Sequence, residues 1–191
     1  ASGNAFVLKP SERDPEVPVR LAELFIEAGG PAGVFNVVHG GKEAVDTLLD
    51  NPTIKAVGFV GSTPIANYIY ERCAANGKRA QCFGGAKNHA IVLPDADIEA
   101  TADALAGAAF GAAGERCMAL SVVVPVGKET ADKLREALIR KIPDLKVGHC
   151  LDPEADYGPL VTADARDRVN RLIGEGVEAG ADLVVDGRDI D

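Results

Sequence analysis

The feature that most constrains this chain is a rhythm. Short apolar runs that do not alternate with polar residues are separated by segments whose apolar residues fall at helical spacing. "AFVLKP" is the first such run, a strand with its exit at Lys-Pro. "DPEVPVRLAELFIEAGG" follows, with Leu21, Leu24, Phe25 and Ala28 on one helical face. Asp14 is placed to cap that helix and Gly29-Gly30 to end it. "VFNVVHGG" reads as a second strand, "KEAVDTLLDNP" as a short helix stopped before Pro52, and "AVGFVGST" as a third strand. "TPIANYIYERCAANG" reads as a helix with Pro64 in its first turn and Gly77 beyond its end. Non-alternating strands in β-α-β-α-β-α order predict an α/β fold: a parallel sheet with helices on both faces and right-handed crossovers.

The rhythm changes at "RAQCFGGAKNHAIVLPDAD", where two strand-like pieces are broken by Gly84-Gly85. A domain change is expected there, with residues 1–86 in one domain and 87–191 in a second α/β domain. An Ala/Gly-rich helix over about 98–114 leads to Cys117, and "ALSVVVPVG" is a strand. "KETADKLREALIRKI" and "TADARDRVNRLIGEGVEAG" are helices, and "ADLVVDG" is expected to close the chain with a strand.

Composition excludes several classes of function. The 191 residues are 47% hydrophobic and 26% charged, an ordinary globular balance. A formal net charge of -9, with Lys and Arg scattered, argues against binding a phosphate backbone. No apolar run is long enough to span a membrane, and no basic segment precedes an apolar one as in a signal peptide. Cys73, Cys82, Cys117 and Cys150 form no C-x-x-C pair, and His39, His89 and His149 do not cluster at ligand spacing. No metal site is expected, and the thiols read as reduced, in a cytosol-like compartment. The opening "ASGNAFVLKP" reads as the approach to a strand and the closing "VVDGRDID" stops just after a strand-like run; both look cut rather than finished, so the chain is expected to be internal to a longer protein.

In a parallel α/β sheet, ligands bind beyond the carboxyl ends of the strands. Three ends carry polar or flexible residues: Lys9 with Glu12 one turn on, Gly40-Gly41, and Gly61-Ser62-Thr63 opening a helix. Lys9 and Glu12 could hold two ribose hydroxyls as donor and acceptor. Ser62 at a helix N-terminus is a phosphate site. The structural alternative stays open: a serine before a helix is commonly an N-cap, strand-end glycines are commonly turns, and no G-x-G-x-x-G is present. Cys117 is either a small core residue or a nucleophile. A preceding helix, small residues that let backbone amides approach a substrate oxygen, the adjacent Arg116 charge and the latitude of Gly114 favour the nucleophile. Cys73 and Cys82 fall in helix and strand patterns and read as structural. Cys150 adjoins His149 in a loop, where neighbouring side chains are expected to point apart.

These residues resemble the aldehyde dehydrogenase superfamily. "FGAAGERC" resembles its active-site cysteine motif, "FVLKPSE" its adenosine-binding strand, "FVGSTPIA" its pyrophosphate-contacting turn, and "DPEADYGPLVT" a stretch of its catalytic domain. The four matches occur in family order over nearly the whole chain. The resemblance implies that residues 1–86 are part of an NAD-binding domain and 87–191 the N-terminal part of a catalytic domain. It implies Cys117 as nucleophile and Lys9, Glu12, Gly40, Gly61, Ser62 and Ile65 around NAD. It also places the oxyanion asparagine upstream of residue 1 and the nicotinamide-ribose glutamate outside the chain, so the isolated segment is expected to be inactive.

Two departures resemble the CoA-acylating methylmalonate-semialdehyde branch. "CFGGAKNH" puts Phe83 where most members carry a water-activating glutamate. A thioester on Cys117 would then await a better nucleophile than water, the thiol of coenzyme A. Arg116 stands where that branch has an arginine taken to bind the substrate carboxylate, which suits bidentate pairing; pairing with Glu115 is the structural alternative. The branch implies methylmalonate or malonate semialdehyde as substrate, loss of carbon dioxide before acyl transfer, and a role in valine or inositol breakdown. It further implies a homodimer or homotetramer in the cytoplasm, or in the mitochondrial matrix of a eukaryote. A hydrolytic aldehyde dehydrogenase and a non-catalytic nucleotide-binding scaffold domain remain the alternatives.

Overall fold

The computed structural model describes residues 3–188, and its internal contacts divide it into Ala1–Gly85 and Ala86–Asp191. In the first unit, β1 (Phe6–Leu8) leads through α1 (Glu16–Glu27) to β2 (Phe35–Val37), which lies parallel to β1 with Phe6 beside Phe35 and Leu8 beside Val37. Phe35 takes edge-on contacts from Phe6 and Phe25, at ring separations of 5.4 and 5.7 Å. Gly29 and Gly30 end α1 as expected, donating to the Ile26 and Phe25 carbonyls at 2.9 and 3.0 Å. Asp14 does not cap it. Pro15 already has helical angles and occupies the cap position, so Asp14 stands one residue too far out. Pro18, the third helical residue, has no N–H for a cap to bind.

The same unit continues through α2 (Lys42–Asp50), β3 (Ala56–Val60), α3 (Thr63–Ala75) and β4 (Arg79–Phe83). β3 and β4 run parallel, from Ala56 beside Arg79 to Val60 beside Phe83. Leu49, Ile69 and Cys73 are buried between helices and strands, against Val57, Phe59, Ala80 and Cys82. Burial pushes the Cys73 and Cys82 thiols up, away from reactive thiolate. A polar clasp joins the two helices: Arg72 grips Asp50 with two hydrogen bonds at 2.8 and 2.5 Å, and Tyr68 donates to Asp46 at 2.6 Å. Lys78 is only 8% exposed, and its ammonium is satisfied by the Leu48 and Asn51 carbonyls at the end of α2.

In the second unit, β5 (Asn88–Val92), α4 (Ile98–Phe110) and β6 (Leu120–Pro125) form another parallel β-α-β, followed by α5 (Lys128–Lys141) and α6 (Ala163–Glu178). Its core is Val92, Ala102, Leu105, Leu134 and Ala137. Asp97 caps α4 by accepting from the Ala100 N–H at 3.1 Å, and Thr162 caps α6 by accepting from Ala165 at 3.0 Å. Every paired strand is thus parallel, as the sequence predicts for an α/β fold, and the described strands bond two by two.

Two expectations fail in this unit. α4 stops at Phe110 instead of running to 114, because Gly111 turns extended and Ala112 and Ala113 then adopt left-handed angles, with φ of 53° and 52°. The "ADLVVDG" segment, residues 181–187, forms no strand. It finds no ladder partner among the described residues, and Leu183 and Val184 instead line an apolar cavity with Val123, Leu134 and Leu138.

Candidate functional site

The carboxyl ends of β1 and β2 are brought together by one side chain. Lys9 Nζ reaches the Gly40 carbonyl at 2.8 Å and Glu12 Oε2 at 3.3 Å, and also donates to the Pro10 carbonyl. The sequence-predicted trio Lys9, Glu12 and Gly40 therefore forms one cluster. A bond from its own backbone N–H and then the Lys9 ammonium hold the Glu12 carboxyl below the usual carboxylate range. Glu12 is thus an exposed, charged acceptor beside a lysine. Gly40 is positioned at φ 142°, where a Cβ would stand 2.8 Å from that of Ala44, so the turn admits no side chain.

At the end of β3 the Gly61 N–H donates to the Phe83 carbonyl at 3.0 Å, extending the β3–β4 pairing by one bond. Ser62 occupies the N-cap position of α3 but makes no capping bond, so its hydroxyl is uncommitted. The first-turn amides of a helix lack intrahelical partners, which makes this end suited to an anion. Ile65 stands one turn in and is 48% exposed. Thr63, named with Gly61 and Ser62 at this strand end, turns the other way: its Oγ1 accepts from the Gly85 N–H at 2.9 Å and ties α3 to the glycine pair. Phe83 ends β4, 54% exposed, and supplies no ionisable group there.

In the second unit Cys117 lies on the turn between Gly114 and β6. It is exposed, unlike Cys73 and Cys82, and its backbone N–H donates to no acceptor among the described residues. The turn is anchored by a residue that sequence reasoning missed. Asn88 Nδ2 donates to the Cys117 and Ala119 carbonyls, both at 2.9 Å, holding the backbone from Cys117 into the start of β6. The β5–β6 register is irregular at Asn88, setting it apart from the regular ladder that follows. No spacing in the sequence points to a pairing across 29 residues.

Glu115 and Arg116 do not pair with each other. Glu115 Oε2 accepts from the Val161 N–H at 3.3 Å, joining "GERC" to "GPLVT" within this unit. The Arg116 carbonyl accepts from the Ala119 N–H at 3.1 Å, but its side chain makes no hydrogen bond or ion pair among the described residues, so its guanidinium donors are open. His149 and Cys150, expected to point apart, are instead in contact at 3.9 Å, because a tight turn from His149 to Asp152 folds them together. His149 Nδ1 already accepts from the Leu151 N–H at 3.2 Å, which occupies the lone pair a base would need.

Comparison with known proteins places this geometry. The aldehyde dehydrogenase family profile matches residues 1–191. A malonate-semialdehyde dehydrogenase of Pseudomonas aeruginosa is 57% identical over 98% of this chain and 38% of its own length. An acylating, mitochondrial methylmalonate-semialdehyde dehydrogenase of Arabidopsis thaliana is 53% identical over 98% of this chain and 31% of its own. Among solved structures, a Sinorhizobium meliloti 1021 protein assigned to methylmalonate-semialdehyde dehydrogenase and complexed with NAD superposes with a TM-score of 0.92. It is 62% identical over 99% of this chain and 38% of that one. The chain therefore spans well under half the length of these relatives, and across all of it the chain belongs to the aldehyde dehydrogenase family.

Proposed function

We propose that this chain is the central segment of an NAD-dependent, CoA-acylating semialdehyde dehydrogenase acting on malonate or methylmalonate semialdehyde. Residues 1–86 belong to its NAD-binding domain and 87–191 to its catalytic domain. The observation that carries the reading is the turn at Cys117: an exposed thiol whose backbone N–H, like the side chain of the adjacent arginine, has no partner among the described residues.

The chain's residues have definite roles in this reading. Lys9 and Glu12 hold the adenosine ribose as donor and acceptor, Gly40 leaves room at the strand end, and Ile65 offers apolar cover. Gly61 and Ser62 present the α3 N-terminus to the pyrophosphate. The ionised Glu12 carboxylate repels a 2′-phosphate, which favours NAD over NADP. When bound, NAD supplies the hydride acceptor.

Cys117 adds its sulfur to the aldehyde carbon, and its N–H donates to the developing oxyanion. Arg116 holds the substrate carboxylate by a bidentate pair. Departure of hydride leaves a thioester on Cys117; the β-carboxylate of a malonate-type acyl group leaves as carbon dioxide, the electron pair of the broken C–C bond passes into the thioester as an enolate, and a proton from water replaces the carboxylate. Phe83 offers water no base, so the acyl group passes to the thiol of coenzyme A and Cys117 is released. The names of the Pseudomonas and Arabidopsis relatives support the substrate class and the acylating chemistry. The whole enzyme is proposed to be a homo-oligomer of the cytoplasm or the mitochondrial matrix, and the isolated segment to be inactive.

The test is NADH formation from malonate semialdehyde by the full-length protein carrying this segment, with and without coenzyme A. Sustained turnover that requires coenzyme A and yields an acyl-CoA supports the reading. Equal turnover without it, giving a free acid, replaces it with hydrolytic chemistry.

A further inference from the structure

Gly111 and Arg116 are five residues apart, and the left-handed turn between them folds one over the other. A Cβ built on Gly111 would lie 2.7 Å from both terminal nitrogens of Arg116 and 2.8 Å from Cζ. The terminal nitrogens lie as near as Cζ, so the Nη1/Nη2 end of the guanidinium stands in the space a side chain at 111 would fill. A planar guanidinium carries five donors, and these meet no acceptor among the described residues. We propose that Gly111 is a specificity-positioning residue: its missing side chain is the seat in which the Arg116 guanidinium rests with its donors unpaired, ready to take the carboxylate of an acidic aldehyde.

This rests on the carboxylate-binding role of Arg116 and adds a requirement to it. The backbone of Gly111 does not need glycine, since φ −52° and ψ 134° are open to any residue. The turn's conformational demands fall on Ala112, Ala113 and Gly114 instead. The nearest obstacle to a side chain at 111 is the guanidinium itself, the far end of a flexible chain that can move aside. Gly111→Ala thus displaces Arg116 while leaving the fold in place, which makes it a clean probe.

The experiment compares malonate semialdehyde with propanal, an uncharged aldehyde of similar size, in the full-length protein with NAD and coenzyme A. Gly111→Ala is expected to raise the KM for malonate semialdehyde about ten- to hundredfold, the loss expected of hydrogen bonds to a charged group. The KM for propanal and the Tm stay near wild type. Gly111→Ala added to Arg116→Ala is expected to cause no further loss, because the seat is empty. If Arg116→Ala leaves the malonate-semialdehyde KM unchanged, the reading of Arg116 itself falls. If Arg116→Ala raises that KM and Gly111→Ala does not, or if Gly111→Ala weakens both aldehydes alike, the seat falls and the reading of Arg116 stands. Should Gly111→Ala lower the Tm, the comparison is repeated in an Arg116→Lys background. Lysine carries no guanidinium to seat, so a loss specific to malonate semialdehyde that persists there overturns the proposal.

Discussion

The two candidate sites are built in opposite ways. Around Lys9 the functional side chains hold one another: the ammonium bridges Glu12 and the Gly40 carbonyl, and each group is partly satisfied before any ligand arrives. Around Cys117 the functional groups are left open, and bystanders do the holding. Asn88 fixes the backbone at the cysteine and just after it, and Glu115 ties the same turn to Val161. A binding surface for a polar ligand tolerates pre-paired donors and acceptors, because a ribose can exchange one hydrogen bond for another. A nucleophile and an oxyanion donor are useful only if nothing else occupies them.

Variants of the full-length protein can break this comparison, beginning with the largest effect. Cys117→Ala is expected to abolish aldehyde oxidation, by roughly 10³-fold or more as for loss of a covalent nucleophile, with NAD binding retained. Loss of NAD binding as well would mean that the thiol is a structural element. Asn88→Ala should lower kcat by about 10²-fold, the cost of displacing a reacting group by about an ångström. Steady-state kinetics should find the KM for NAD unchanged, and a matching loss of NAD affinity would remove the contrast between bystander and ligand-facing residues. Glu12→Gln should weaken NAD by roughly tenfold, the range for one charge-assisted hydrogen bond, and narrow the preference over NADP. An unchanged NAD/NADP ratio by titration would show that the charge does not select the cofactor.

The smallest effect concerns the α2–α3 clasp. Arg72 holds the Asp50 carboxyl below its usual range, and Lys42 with Tyr68 does the same for Asp46. A carboxyl whose folded-state pKa is depressed contributes stability above its unfolded value, about 3.9. That contribution is lost as pH falls through the folded value. Asp50→Asn should therefore lower Tm slightly near neutral pH, and the gap from wild type should close as pH drops below about 4. A gap of constant size in melts between pH 7 and 3 would show that the bond, not the charge, matters. Both carboxylates lie at the surface, so the effect is small.

Much of the fold was legible because apolar periodicity is a local property. The strand and helix order from Phe6 to Lys141 follows from it, and Gly29-Gly30 and Pro64 mark helix boundaries by their own covalent geometry. The misses share another cause: they depend on a partner. Residues 181–187 have strand composition but no ladder to join. Asp14 has a capping side chain but stands one position out. Ala112 and Ala113 favour helix intrinsically, and the turn overrides that preference. In the site, Lys9 with Glu12 was readable from a one-turn spacing. Asn88 was not, because its acceptors are backbone carbonyls 29 and 31 residues away, and a carbonyl has no letter in a sequence.

The alanine pair at 112 and 113 makes the cysteine loop a loaded spring rather than a slack hinge. Each left-handed alanine stores about 1–2 kcal/mol that a right-handed path would release. Cutting either tether, by Asn88→Ala or Glu115→Ala, is expected to let that energy wind part of 111–114 onto α4 and shift the cysteine from its place beside the strand. Slower hydrogen exchange at the amides of 111–115 in the untethered variants would register the winding. Faster exchange there would mean that the released loop melts without recoiling.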